Sequence, residues 1–182
     1  MRTNIIVTDD FYLDPDSVRT FALQQDFTIR GNYPGSRTKT FLNESMKYCI
    51  QKIIQNFGGN VTNWYEEDGL SGSFEIAKSN NRSWIHTDPF NNWAGVLYLT
   101  PNAPYNSGTG FYKHKKTGNY TRVDEDYEGY DYTKWDLHDV IGNKYNRLIL
   151  FRSDIFHTSM YYFGDTLENS RLFQLFFFNT EI

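Results

Sequence analysis

The spacing of apolar positions changes character near residue 60. Before that point, the apolar residues of SVRTFAL recur at the three-to-four-residue interval of an amphipathic helix. Asp14 and Pro15 stand just ahead of them, and an N-cap carboxylate followed by a first-turn proline is a typical helix start. The pattern predicts a short strand at 4–7 and then a helix running to about Gln25.

A second helix is predicted after Asn43, whose side chain can cap the first helical turn. Its apolar residues again recur at helical spacing, and the pair Gly58-Gly59 ends the pattern. The residues of this apolar face are Met46, Ile50, Ile53, Ile54 and Phe57.

Beyond residue 60 the chain consists of short apolar runs separated by turn residues, which is typical of strands. The candidate strands are 61–65, 73–78, 83–87, 94–100, 110–114, 147–151, 156–160 and 172–178. Strands this short and numerous favour a sandwich or jelly roll. The two helices would pack outside it, because their apolar faces need a sheet to cover them. We therefore expect a mainly β fold with flanking helices.

Length and composition restrict the class of protein further. For 182 residues we expect one domain, with 1–60 as helical support and 61–182 as the β-rich part. Aromatic residues make up 18% of the chain, which favours pleated strands. The net charge of −4 gives no general attraction to nucleic acid or to an anionic membrane. The single Cys49 excludes an internal disulfide framework.

No targeting signal or membrane-spanning run stands out, so we expect a cytoplasmic protein. The acidic stretch 124–139 is interrupted by Tyr and Trp, whereas a disordered tail would be poorer in aromatics. We therefore expect an ordered insertion or lid here, and the overlapping segment 120–132 could form a lid over a site.

Three potential metal ligands stand beside predicted turns. His86 and Asp88 are two residues apart, so a strand would point both side chains to the same face. His157 follows about 70 residues later in FRSDIFH. Two imidazoles and one carboxylate can occupy one face of an octahedral ferrous ion, which leaves three positions open. His114 and His138 lack this context, and we do not expect them to bind metal.

Arg171 begins the last apolar run, 14 positions after His157 and across a predicted hairpin with Gly164 and Asp165 at its tip. A buried guanidinium needs a partner, and Arg binds carboxylates through two parallel hydrogen bonds. That partner could be an Asp or Glu of the chain, or it could be the remote carboxylate of a dicarboxylate co-substrate. We favour the co-substrate.

The His-Thr-Asp at 86–88, with His157 and Arg171, resembles the iron(II)/2-oxoglutarate-dependent dioxygenases, especially their prolyl-4-hydroxylase-like branch. The resemblance covers about residues 73–179. GVLYLT followed by SGTGFYKH looks like that branch's strand, turn and glycine-containing strand, and FRSDIFH looks like its hairpin leading to the distal histidine. The opening DDFYLDPDSVRTFAL is similar to uncharacterised bacteriophage and marine bacterial members, which would place the protein in a host cytoplasm if it is phage-encoded.

The resemblance implies a double-stranded β-helix, the cupin-like jelly roll, that binds Fe(II), 2-oxoglutarate and O2. His86, Asp88 and His157 would hold the iron, and Arg171 would pair with the far carboxylate of 2-oxoglutarate. Tyr98 and Ser159 would supply further co-substrate contacts. The strand before the His-x-Asp reads FEIAKS and lacks the branch's tyrosine. The implied reaction hydroxylates a protein or peptide side chain, or a small molecule, and releases succinate and CO2.

Substrate contacts are predicted from the aromatic residues near the expected mouth of the site, although core packing is the plainer role for them. These residues are Trp84, Trp93, Phe111 and Tyr112. Neither a nucleic acid nor a membrane is an expected partner, and the oligomeric state stays open. Two other functions remain as alternatives: a cupin-like metalloenzyme that uses Zn or Mn without 2-oxoglutarate, and a non-catalytic β-sandwich binding module.

Overall fold

Two antiparallel sheets pack against each other, and two helices cover the outer side of the larger sheet. This computed structural model describes residues 2–121 and 128–181. The helices are Pro15–Leu23 (α1) and Glu44–Ile54 (α2). The larger sheet contains Ile5–Thr8 (β1), Ser36–Arg37 (β2), Asn60–Trp64 (β3), Phe74–Ala77 (β4), Trp93–Tyr98 (β5), Leu148–Arg152 (β8) and Arg171–Glu181 (β10). The smaller sheet contains Thr109–His114 (β6), Trp135–Ile141 (β7) and His157–Ser159 (β9).

The strand order of the larger sheet is β1-β8-β5-β10-β4-β2, and β3 pairs with the far end of β10. The smaller sheet runs β7-β6-β9. Strands β1 and β2 come from the first 60 residues, so this part of the chain supplies sheet edges as well as helices. The predicted fold class, mainly β with helices packed outside, is confirmed.

Alternation along β10 divides the interior into two layers, because successive side chains of a strand point to opposite faces. One face packs against the helices and carries Leu172, Phe176 and Phe178. The other face points between the two sheets and carries Phe173, Leu175 and Phe177. Arg171 shares the parity of this second set. The inner layer between the sheets is where the functional side chains meet.

Both helices begin where their capping residues predict. The Asp14 carboxylate accepts the backbone N–H of Ser17 at 3.0 Å, and the Asn43 side-chain oxygen accepts that of Met46 at 3.0 Å. Each cap satisfies one of the backbone donors that the first turn of a helix leaves unpaired. Both helices end two to three residues before the predicted points, at Leu23 and Ile54.

Three predictions about the β-rich part are wrong. Residues 83–87 do not form a strand and contribute a single bridge between His86 and His157. Strand β7 overlaps the stretch 124–139 that we expected to be an insertion, and it shows no apolar alternation because most of its side chains are exposed. The connection before Arg171 is not a hairpin, since β9 and β10 belong to different sheets. Part of the predicted lid, 122–127, lies outside the described residues.

Candidate metal centre

The antiparallel bridge between His86 and His157 brings two distant segments together. The His86 N–H donates to the His157 carbonyl at 3.0 Å, and the His157 N–H donates to the His86 carbonyl at 2.8 Å. Directly paired residues in an antiparallel ladder point to the same side. The two imidazole centroids accordingly lie 4.5 Å apart. This backbone pairing places both predicted histidines in one site.

Asp88 completes the group. Its N–H donates to the Ser153 carbonyl at 2.9 Å, which ties the turn after His86 to the turn before β9. The Asp88 Oδ2 atom lies 3.7 Å from His157 Nε2. Potential ligand atoms of His86, Asp88 and His157 all lie within 4.8 Å of one another. Their separation suits three ligands arranged around one ion.

Both imidazoles are oriented as metal ligands. The Nδ1 atom of His86 lies 2.8 Å from the Trp84 carbonyl oxygen, and that of His157 lies 2.8 Å from the Ile155 carbonyl oxygen. A carbonyl only accepts hydrogen bonds, so Nδ1 carries the proton and Nε2 keeps its lone pair. Burial, assisted by the neighbouring His86, lowers the pKa of His157 to about 4. His157 is therefore neutral at neutral pH, as a ligand must be.

These three residues line a cavity between the sheets. It encloses about 630 Å³ of empty space, including its open mouth. Strands β4, β5, β8 and β10 form its floor, and the loop around Tyr33 forms part of its rim. Thr109, Ser159 and Tyr162 also line it. A cavity with converging polar groups in an apolar wall is the usual form of a small-molecule site.

Arg171 lies buried beside this cavity with 0% exposure. Its Nε donates to the Ser107 carbonyl at 3.0 Å, but neither Nη1 nor Nη2 has a partner with hydrogen-bond distance and angle in the described residues; the Tyr98 hydroxyl interacts with the guanidinium only outside that geometry. Its guanidinium lies 4.3 Å from the ring centroid of Phe173 and 5.5 Å from that of Tyr98. No ion pair joins Arg171 to a carboxylate in the described part of the chain. A buried, unpaired guanidinium is costly unless a ligand completes it.

Of the two residues predicted as further co-substrate contacts, Tyr98 lies near this guanidinium and Ser159 lines the cavity. Tyr98 is fully buried in the layer between the sheets, and its hydroxyl lies 2.8 Å from Thr109 Oγ1. Burial raises the pKa of Tyr98, while the charge of Arg171 opposes that shift. Ser159 lines the cavity and pairs with Thr109 across β6 and β9.

Of the four aromatic residues predicted near the mouth, the structure brings only Trp84 to the cavity. Trp84 packs 5.3 Å from the His86 ring, measured between centroids. Trp93 lies in the core layer against the helices, Phe111 packs against Phe151, and Tyr112 belongs to a separate buried cluster. Direct substrate contact by these last three is therefore not supported.

Sequence reasoning missed a buried ion pair in the cavity wall. Arg37 Nε donates to Glu75 Oε2 at 2.6 Å, and Arg37 Nη1 donates to the Gly69 carbonyl at 2.8 Å. The Arg37 guanidinium carbon also lies 3.6 Å from the centre of the Tyr33 ring. Burial raises the pKa of Glu75, and the Arg37 charge opposes the shift. The available signal was the charge of Glu75 inside the apolar run FEIA, the same kind of signal that identified Arg171.

The other two histidines lie elsewhere. The His114 Nδ1 atom lies 3.1 Å from Thr117 Oγ1, and the His114 ring packs against Trp135. His138 is exposed on β7 next to Asp139. Neither belongs to the group around His157.

One family model matches most of the chain. The family of unknown function DUF6445 matches residues 1–135. The chain belongs to this family. The matched range includes His86 and Asp88 and ends before His157 and Arg171. No curated protein matches the sequence.

Two solved structures share the fold. HygX from Streptomyces hygroscopicus, with nickel, 2-oxoglutarate and hygromycin B bound, is 9% identical with a TM-score of 0.67. The match covers 99% of this chain and 84% of HygX. A Trichoplax adhaerens prolyl hydroxylase, in complex with a peptide fragment of the hypoxia inducible factor oxygen degradation domain, is 11% identical with a TM-score of 0.55. That match covers 96% of this chain and 83% of the other. The predicted jelly-roll fold is thereby confirmed.

Proposed function

We propose that the protein is an iron(II)- and 2-oxoglutarate-dependent oxygenase. In this proposal His86, Asp88 and His157 hold the metal, and Arg171 binds the far carboxylate of 2-oxoglutarate. The observation that carries it is the fully buried Arg171, whose Nη1 and Nη2 have no partner in the described residues. A dicarboxylate that chelates the metal at one end could place its other carboxylate on these two donors.

The chemical character of the residues fits both groups. Neutral imidazoles and a carboxylate are the donors of a facial site for ferrous iron with positions left open. When bound, iron and 2-oxoglutarate would activate O2 for substrate oxidation, with release of succinate and CO2. The Trp84 and Ile155 carbonyls hold the two Nδ1 protons, so both Nε2 lone pairs would be available to a metal. The Phe173 and Tyr98 rings exclude water around Arg171, which strengthens its pairing with a carboxylate.

We propose hydroxylation of a small molecule or of a protein or peptide side chain. The two neighbouring structures support each possibility, because one holds hygromycin B and the other a peptide fragment. The single-domain organisation of 1–182 and a cytoplasmic location stay part of the proposal. No helix in the described segments is long and apolar enough to cross a membrane.

A metalloenzyme that uses Zn or Mn without 2-oxoglutarate is the second candidate, because the same three ligands would serve it. A metalloenzyme of this kind would have no ligand for the unpaired guanidinium of Arg171. The two candidates therefore differ in whether 2-oxoglutarate binds, and in whether its binding depends on Arg171.

The test is to add Fe(II) and 2-oxoglutarate to the purified protein without oxygen, and to record visible absorbance and melting temperature. We expect a weak charge-transfer band and a thermal stabilisation that needs both additives. At about 100 times its Kd, the co-substrate should add about 2.7 kcal/mol. Stabilisation by metal alone, unchanged by 2-oxoglutarate, would favour the second candidate. No effect of either additive would contradict both.

A further inference from the structure

We propose that Glu75 determines substrate specificity by binding a protonated amine of the substrate through its free carboxylate oxygen. The reaction at that substrate rests on the proposed oxygenase function. The amine site itself rests on the contacts of Glu75, which involve neither the metal nor 2-oxoglutarate.

The position of Glu75 in β4 directs it into the cavity. Its neighbours Phe74 and Ile76 pack in the core layer against the helices, so alternation turns Glu75 to the opposite face. Glu75 lines the same cavity as His86 and Asp88 and is only 3% exposed. A carboxylate in this place borders the metal centre without being one of its three ligands.

The two oxygens of Glu75 differ in their bonding. Oε2 accepts the hydrogen bond from Arg37 Nε at 2.6 Å. No described residue donates a hydrogen bond to Oε1, and this atom keeps some exposure to solvent. Because the side chain lines the cavity, Oε1 is the acceptor that it offers to a bound molecule.

Arg37 is the ion-pair partner of this carboxylate and cannot readily turn towards a substrate itself. Its Nη1 is held by the Gly69 carbonyl at 2.8 Å, and its guanidinium carbon lies 3.6 Å from the centre of the Tyr33 ring. The positive neighbour opposes the upward effect of burial on the pKa of Glu75. Arg37 therefore acts as a positioning residue: its ion pair holds the Glu75 carboxylate in place and favours the ionised form against the effect of burial.

The remaining charges of the cavity favour a cationic substrate group. In the proposed complex Asp88 is bound to the metal, and Arg171 is paired with the co-substrate. Glu75 Oε1 is then an anionic acceptor with no donor from the described residues. A protonated amine supplies both charge and hydrogen-bond donors, and charge-assisted hydrogen bonds are about twice as strong as neutral ones. A substrate carboxylate would instead meet like charge in a poorly solvated wall.

Two probes of nearly equal shape test this: benzylamine, which is protonated at pH 7, and benzyl alcohol, which is neutral. Affinities would be measured by ligand-detected NMR titration, with Zn(II) and 2-oxoglutarate present so that no turnover occurs. We expect benzylamine to bind at least about tenfold more tightly than benzyl alcohol. In Glu75→Gln this preference should fall to about twofold or less. In Glu67→Gln, which removes an equal charge from an exposed position, it should persist.

Equal affinities in the wild-type protein would overturn the proposal, and so would an unchanged preference in Glu75→Gln. The wild-type comparison needs no variant, so it decides the matter even if Glu75→Gln does not fold. Repeating the titration without Zn(II) and 2-oxoglutarate separates the two proposals. An amine preference without any binding of 2-oxoglutarate would contradict the oxygenase function alone. Binding of 2-oxoglutarate without an amine preference would contradict the amine site alone.

Discussion

Replacing Arg171 by Met should stabilise the ligand-free protein while removing its response to 2-oxoglutarate. The substitution deletes a fully buried guanidinium with two unbonded nitrogens and keeps an unbranched apolar side chain of similar reach. Methionine would pack on the rings of Phe173 and Tyr98, and thioether–aromatic contacts are favourable. Few substitutions of a buried charge are expected to increase stability, which makes the sign of the effect informative.

The magnitude follows from the bonds that Arg171 makes and those that it lacks. The variant loses one charged hydrogen bond to the Ser107 carbonyl, worth about 1.5–3 kcal/mol. It is relieved of two buried donors without partners, each costing about 1–3 kcal/mol. We therefore expect a gain of about 1–2 kcal/mol in the free energy of unfolding.

The assay is thermal unfolding with Fe(II), without oxygen, in the presence and absence of 2-oxoglutarate. For a chain of this size, 1 kcal/mol shifts the melting temperature by about 2–4 °C. Without co-substrate, Arg171→Met should melt about 2–8 °C above the wild-type protein. With 2-oxoglutarate at about 100 times its Kd, the wild-type protein should rise by about 5–11 °C and the variant should not move. The matched control is Arg82→Met at an exposed position, which should respond as the wild-type protein does.

Two results would refute this reasoning. If ligand-free Arg171→Met melts more than about 10 °C below the wild-type protein, the guanidinium is satisfied within the fold and needs no ligand. If 2-oxoglutarate stabilises the variant as strongly as the wild-type protein, the co-substrate binds without Arg171.

Three further predictions concern stability. Arg37→Met should lower the free energy of unfolding, measured in urea, by about 3–5 kcal/mol because it leaves the buried Glu75 unpaired. Adding Glu75→Leu should recover most of this loss, and a double variant no more stable than Arg37→Met would contradict the prediction. Asn43→Ala should cost about 0.5–2 kcal/mol through loss of the α2 cap, with Asn43→Asp close to neutral, and equal losses in the two variants would count against capping. Hydrogen bonds from Arg147 hold the pKa of Asp9 well below its usual 3.8. The stabilisation by this ion pair is therefore complete above about pH 5 and is lost as the pH falls through and below 3.8. Asp9→Asn should flatten that part of the curve of stability against pH, and an unchanged curve would contradict this reasoning.

Several features could be predicted because they depend on neighbours along the chain. Asp14 and Asn43 each cap a helix through a backbone N–H three residues ahead. The ligands His86 and Asp88 share a short segment, and the odd charge of Arg171 in an apolar run points to a partner. Spacing, capping and charge are local properties, so they could be recognised before any contact between distant segments was known.

The features that were predicted wrongly depend on which distant segments pair with one another. The bridge between His86 and His157 forms across about 70 residues, and the assignment of β9 and β10 to different sheets removes the expected hairpin. Strand β7 was missed because it is stabilised by pairing with β6 while most of its side chains face solvent.

By itself, the sequence determined the helix starts, the β-rich texture and the set of side chains able to hold a metal and a carboxylate. Alternation also shows that Ala94 and Tyr98 share one face of β5 while Trp93 takes the other. Only the tertiary structure decided which face looks into the cavity, because that depends on where the helices pack. The same packing buries Trp93 and places Glu75 beside the metal centre. Which residues of a strand share a face follows from alternation along that strand alone, whereas which face is buried depends on how the sheets and helices assemble.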